Sequence, residues 1–162
     1  MSLNYLSVYK VKNFFTIKDQ LIKLILDDKY GVPHEHIFKT DYFSAVKGEW
    51  YKYFQNKVFE NFSKFFVQKY EADKIYLDNC WYQIYDTNNY HGMHMHPRTN
   101  FTNVFYLQLP GPDSPTRVQG QILNAQEGDI VSFPGFIPHE SKINIHQKPK
   151  IIISFNSSLE LN

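Results

Sequence analysis

Three of the chain's seven histidines fall in one short stretch, His91-Gly92-Met93-His94-Met95-His96, and Pro97 follows directly. His94 and His96 are separated by a single residue. In an extended backbone, side chains at i and i+2 point to the same side, so both imidazoles can address one interior point. The proline favours that extended conformation at His96 itself. A third nitrogen is available much later, from His139. Gly128-Asp129 reads as a turn, 130–133 as a strand closed by Phe133-Pro134, and His139 as emerging just past it. Imidazole suits iron, zinc, copper or nickel, and three ligands on one side of an ion leave positions open for substrate and oxygen. The expected centre is one divalent metal held by His94, His96 and His139.

A second group with chemical potential is Lys150, which opens the apolar run Lys150-Ile151-Ile152-Ile153-Ser154-Phe155-Asn156. Its bland reading is a lysine at a strand end. Its functional reading is a buried cation that pairs with a carboxylate of a small cosubstrate. The other histidines are given no such role. His34-Glu35-His36 repeats the H-x-H spacing but follows a Gly-Val-Pro turn, and is assigned to a loop. His91 and His146 are read as surface or hydrogen-bonded residues.

These residues need a scaffold, and the chain divides into two regions that could supply it. Residues 5–12 alternate like a strand, and Thr16, with Asp19 three residues on, offers an N-cap for a helix that Gly31 can end. Ile17, Leu21, Leu24 and Ile25 would share its apolar face. A longer helix is expected over 49–70, with Tyr51, Phe54, Val58, Phe62 and Phe65 as a packing stripe. After Tyr70 the pattern changes to short strands at 75–77, 80–85, 101–109, 117–123, 130–133, 141–145 and 150–156, punctuated by turn signals such as Pro110-Gly111-Pro112-Asp113. The fold expected is mainly β with N-terminal helices: a jelly-roll core over 75–158, buttressed by two helices from 1–74, in one domain of 162 residues.

Bulk properties narrow the partners. Lys plus Arg number 17 against 16 Asp plus Glu, so no strong field points to nucleic acid. No apolar run approaches the roughly 18 residues of a membrane span, and the N-terminus lacks the pattern of a signal peptide. The lone Cys80 excludes an intramolecular disulfide framework and fits a reducing compartment. A cytoplasmic location is the expectation.

From Trp81 to Asn156 the chain resembles the 2-oxoglutarate and Fe(II)-dependent oxygenases, in particular a small bacterial and phage subfamily. The resemblance rests on Trp81, His94-Met95-His96-Pro97, the strand Thr102-Asn103-Val104-Phe105-Tyr106-Leu107, the run from Gly128 to Pro134, His139, and the segment from Lys150 to Asn156, in that order. The first 80 residues carry no comparable match. The resemblance implies a double-stranded β-helix holding one ferrous ion, with 2-oxoglutarate as cosubstrate and dioxygen as oxidant. His94 falls on the first ligand position, His139 on the distal one, and Lys150 on the Arg/Lys position that binds the far carboxylate. Tyr106, Ser154 and Asn103 are expected beside Lys150 around the cosubstrate. Asn103 and the Tyr106 or Tyr82 hydroxyl are candidates to fix the imidazoles.

Two positions depart from the family pattern. His96 stands where an acidic ligand is usual, which leaves either a three-histidine site or one that recruits Asp86, Glu127 or Asp129. Lys150 and Ile152 replace an arginine and a serine. The substrate, a small molecule or a peptide, would approach past 110–117 or the 86–93 loop. Two other classes remain open at this point: a three-histidine dioxygenase that does not use 2-oxoglutarate, and a non-catalytic jelly-roll binding or structural domain.

Overall fold

The computed structural model describes residues 5–161. The three longest strands, β4 (Lys74–Tyr85), β6 (Phe101–Gln108) and β11 (Lys150–Glu160), lie side by side, with β11 antiparallel to both neighbours. Alternation along β11 explains its dual role. Ile151, Ile153 and Phe155 pack toward the helices, and Ile152 packs into a second apolar cluster on the opposite face. Lys150, Ser154 and Asn156 share the parity of Ile152.

The strands of the large sheet run in the order β1-β9-β6-β11-β4-β3-β2, where β1 is Ser7–Lys10, β2 Val32–His34, β3 Ile37–Thr40 and β9 Asp129–Pro134. A smaller sheet is ordered β5-β10-β7-β8, from β5 (His91–His94), β7 (Arg117–Val118), β8 (Gln121–Ile122) and β10 (His139–Ser141). Every pairing is antiparallel. Tyr85, Val104, Tyr106, Val118, Val131, Phe133 and Ile152 fill one core cluster that links the two sheets. The jelly-roll expectation is correct.

Helix α1 (Phe14–Leu26) buries Phe14, Ile17, Leu21 and Ile25. Its N-cap is Asn13, held at φ 55°, whereas Thr16 lies inside the first turn and donates its hydroxyl to Asn13 O. The helix stops at Leu26, well before Gly31. The expected long helix is present as α2 (Glu49–Phe54), a π-helical turn (Gln55–Phe59) and α3 (Glu60–Tyr70). The wide turn has a cause in the sequence. Trp50, Phe54, Val58, Phe62 and Phe66 recur every fourth residue and are all fully buried. On an α-helix each such step overshoots a full turn by about 40°. One widened turn offsets much of the accumulated drift and helps to keep all five buried. Tyr51 and Phe65, expected in that stripe, lie at its partly buried margin.

Three local expectations are corrected. The runs at 75–77 and 80–85 are one continuous strand, β4. The strand near 141–145 instead spans His139–Ser141, so His139 lies within it. His34-Glu35-His36 sits on a hairpin formed by β2 and β3, with Glu35 at φ 48°. Among the described residues, no helix is long and apolar enough to cross a membrane.

Candidate metal centre

Strand β5 pairs with β10 so that His94 stands directly opposite His139, and, across a register irregularity, His91 stands opposite Ser141. This ladder delivers two of the expected ligands from distant parts of the chain. His96 lies two residues beyond β5, where its backbone N–H donates to Gly135 O at 2.7 Å. One ring nitrogen from each of His94, His96 and His139 lies within 4.8 Å of the others. The three expected ligands are together.

Each imidazole is oriented through its Nδ1. In His94 this nitrogen lies 2.8 Å from Gly92 O, and in His139 it lies 3.0 Å from Ile137 O. In His96 it lies 2.7 Å from Asn156 Oδ1 and 3.0 Å from Thr102 Oγ1. Carbonyl oxygens can only accept, so Nδ1 carries the proton in all three rings and Nε2 keeps its lone pair. Burial favours the neutral ring. It lowers the pKa of His94 and His96, and takes that of His139 to about 3 with help from the neighbouring imidazoles. Three neutral, directed nitrogen donors around one point suit a divalent transition metal.

The carboxylates considered as alternative ligands are engaged elsewhere. Glu127 accepts from Lys18 Nζ and Leu109 N, Asp129 from Lys10 Nζ and Gln126 N, and Asp86 from Thr87 N.

Lys150 is 2% exposed, and its Nζ donates to Ser141 Oγ at 2.8 Å over the face of Tyr85. No carboxylate forms an ion pair with it among the described residues. Burial pushes its pKa down to about 7. A small inner pocket lies beside these two features: its lining includes His94, His96 and His139 together with Tyr85, Glu140 and Ser141, the last being the lysine's partner. A wider cleft opens outside the histidines between His34, Tyr42, Phe43, Trp81 and Met95. Its walls therefore come from β2, β3 and the loop after β3, as well as from the 91–96 segment; 110–117 contributes Thr116 to the inner pocket instead.

The remaining expected residues divide. Ser154 lines the inner pocket, with its hydroxyl donating to Gln83 Oε1 at 3.2 Å. Tyr106 is buried between the sheets and its hydroxyl oxygen accepts from Thr116 N at 3.2 Å, one residue away from a pocket-lining role. Asn103 lies on the opposite parity of β6 and donates to Phe155 O and Ser157 Oγ. Tyr82 faces the helices and donates to Asp28 Oδ2. Neither of these two orients an imidazole; Asn156 and Thr102 hold His96 instead. Sequence reading also passed over His91, which stacks on His94 with ring centroids 3.9 Å apart.

No protein-family model matches the sequence, and no curated protein matches it. Solved structures of similar fold do exist. The viral collagen prolyl hydroxylase of Paramecium bursaria Chlorella virus-1, in its 2-oxoglutarate complex, matches with a TM-score of 0.66 and 15% identity, covering 97% of each chain. An oxidoreductase of the 2OG-Fe(II) oxygenase family from Burkholderia pseudomallei matches with a TM-score of 0.69 and 11% identity, over 96% of this chain and 85% of that one. A prolyl hydroxylase from Trichoplax adhaerens, in complex with a hypoxia inducible factor peptide fragment, gives 0.66 and 11%, over 95% and 84%. At these identities the likeness establishes the fold: the chain is built on the double-stranded β-helix found in 2-oxoglutarate/Fe(II) oxygenases.

Proposed function

We propose that this protein is an Fe(II)- and 2-oxoglutarate-dependent oxygenase that couples decarboxylation of 2-oxoglutarate to oxidation of a substrate. The observation that carries the reading is an inner pocket lined by three neutral, directed imidazoles and by Ser141, the residue that accepts from the buried Lys150 Nζ, which has no acidic partner among the described residues. A buried charge left alone is costly, and a carboxylate arriving from solution removes that cost. A cosubstrate that reaches a metal at one end and carries a carboxylate at the other matches the chemistry of the imidazoles and of the Ser141–Lys150 pair.

In this reading His94, His96 and His139 hold the ion through Nε2, and Lys150 with Ser141 holds the far carboxylate. Bound Fe(II) would supply the redox chemistry with dioxygen. Three neutral ligands leave the ion's charge uncompensated by protein, and a dianionic cosubstrate supplies the balance. Trp81 and Tyr42, in edge contact at 5.0 Å, wall the outer cleft. They would orient substrate and limit water at the open side of the site. The substrate would occupy the cleft between Phe43 and Met95; a small molecule or an exposed peptide segment both suit its open form.

The test is succinate formation from 2-oxoglutarate by the Fe(II)-loaded protein in air, measured beside metal-free protein. Iron-dependent succinate supports the reading. A protein that binds Fe(II) but neither binds nor consumes 2-oxoglutarate would instead be a three-histidine metalloprotein of another class.

A further inference from the structure

Four rings that line the outer cleft touch in series. Trp81 meets Tyr42 at 5.0 Å and 81°, Tyr42 meets Phe43 at 5.0 Å and 86°, and Phe43 meets His34 at 4.6 Å and 65°. Successive rings are steeply inclined, so their faces point in different directions. Tyr42 and Phe43 are 46% and 61% exposed, so core packing does not hold them. Their backbone is anchored instead by two buried neighbours. Thr40 Oγ1 donates to Tyr82 O and accepts from Tyr42 N, while Asp41 Oδ1 accepts from Tyr82 N. Lys47 Nζ closes the loop onto Asp41, 2.9 Å from its carbonyl oxygen and 3.3 Å from Oδ2. A buried carboxylate and its ammonium thus hold two exposed rings at the mouth of the site.

The cleft offers about 230 Å³, and an apolar cavity of about 150 Å³ already accepts benzene. Rings at differing angles give an entering ring both offset and edge-on contacts, the arrangements that aromatic pairs prefer. Among the described residues no Asp, Glu, Lys or Arg lines the cleft, so a charged group would lose water there without meeting a side-chain counter-charge. A divalent ion held by neutral imidazoles at the same cleft would further repel a cation. We propose that the outer cleft is a preformed subsite for an uncharged aromatic ring, and that the substrate presents such a ring beside the metal. The ring's assignment to a substrate rests on the oxygenase reading above.

The experiment is ligand-observed NMR titration of the anaerobic Fe(II)-loaded protein with three probes of similar size and different charge: toluene, N-methylpyridinium and benzoate. Toluene is expected to bind more tightly than the other two. An aromatic pair contributes about 0.5–1.5 kcal/mol, so Phe43→Ala should weaken toluene about two- to twelve-fold at unchanged Fe(II) affinity. Phe43→Asp supplies the missing counter-charge and should reverse the order, taking N-methylpyridinium over toluene. Phe15→Ala, which removes an exposed ring from α1, should leave toluene binding as it is. Wild-type protein that prefers N-methylpyridinium or benzoate overturns the inference. So does toluene that fails to bind, or that binds Phe43→Ala as tightly as wild type. These titrations contain no 2-oxoglutarate, so protein that binds toluene as expected and yet does not bind 2-oxoglutarate keeps the ring subsite and removes the oxygenase reading.

Discussion

His94 and His139 are direct cross-strand partners in the small sheet, with ring centroids 4.2 Å apart. Their proximity is set by backbone pairing and does not depend on an ion to bring them together. Truncating one should therefore remove a ligand without unravelling the sheet. His139→Ala is expected to lose most bound metal at unchanged far-UV circular dichroism, while His34→Ala, in the β2–β3 hairpin, retains full occupancy. Stoichiometric metal in His139→Ala would falsify the three-histidine centre.

In the proposed centre His96 stands where the resemblance implies an acidic ligand. If its nitrogen ligates the ion, His96→Asp should keep or raise Fe(II) binding by restoring a charged donor, and His96→Ala should lower it strongly. Chelator competition would measure all three affinities. Identical values for wild type and both variants would remove His96 from the metal shell.

Asn156 orients His96 by accepting its Nδ1–H at 2.7 Å. Loss of such an outer partner typically costs about 10–100-fold in metal affinity. Asn156→Leu is expected to fall in that range, and Asn156→Asp, which keeps the acceptor, to fall much less. The same chelator competition distinguishes them; an unaltered Asn156→Leu contradicts the assigned orientation of His96.

How much of this was readable beforehand depended on which strands carry an in/out signal. The H-x-H pair was legible from its i, i+2 spacing, although His96 lies beyond β5 and is held by its bond to Gly135 O, and His139 from its place just past the 130–133 strand. Asn103 was misassigned because β6 is buried on both faces, between helices and the small sheet, so its sequence shows no alternation to label them. Asn156 could have been found: it shares strand parity with Lys150, Ile152 and Ser154. The β2–β3 hairpin was missed because its strands are short and largely exposed, which leaves little hydrophobic pattern. His91 depended on the irregular β5–β10 register, which no local pattern encodes.

Lys150 gives the account a pH signature. Its pKa in the empty pocket is depressed to about 7 by burial, and a bound carboxylate would raise it. Below that value the ammonium is already present, so 2-oxoglutarate affinity should be nearly flat in this group's titration. Above it a proton must be taken up on binding, so affinity should fall toward tenfold per pH unit. Calorimetry from pH 6 to 9 in buffers of different ionisation heat checks both the slope and the proton uptake. Affinity that is constant to pH 9 contradicts a neutral amine in the empty pocket.

The four-residue stripe of α2 and α3 should dominate stability. Phe62 is fully buried, in ring contact with Phe155 at 5.3 Å and Phe66 at 4.9 Å. Phe62→Ala is expected to cost about 3–5 kcal/mol, read by urea denaturation. Phe15, which is 85% exposed, should tolerate alanine with little change.

The most direct test of the central claim is 2-oxoglutarate binding to the anaerobic Fe(II) protein, compared with Lys150→Met. Methionine keeps much of the stem's apolar packing and deletes the charge. Truncating one side of a buried charge pair costs about 2–5 kcal/mol, or roughly thirty- to several-thousand-fold in affinity. The account predicts one 2-oxoglutarate bound per Fe(II) in wild type, weakened by that order in Lys150→Met at unchanged iron content. Equally tight binding in both proteins, or none in wild type, would contradict it.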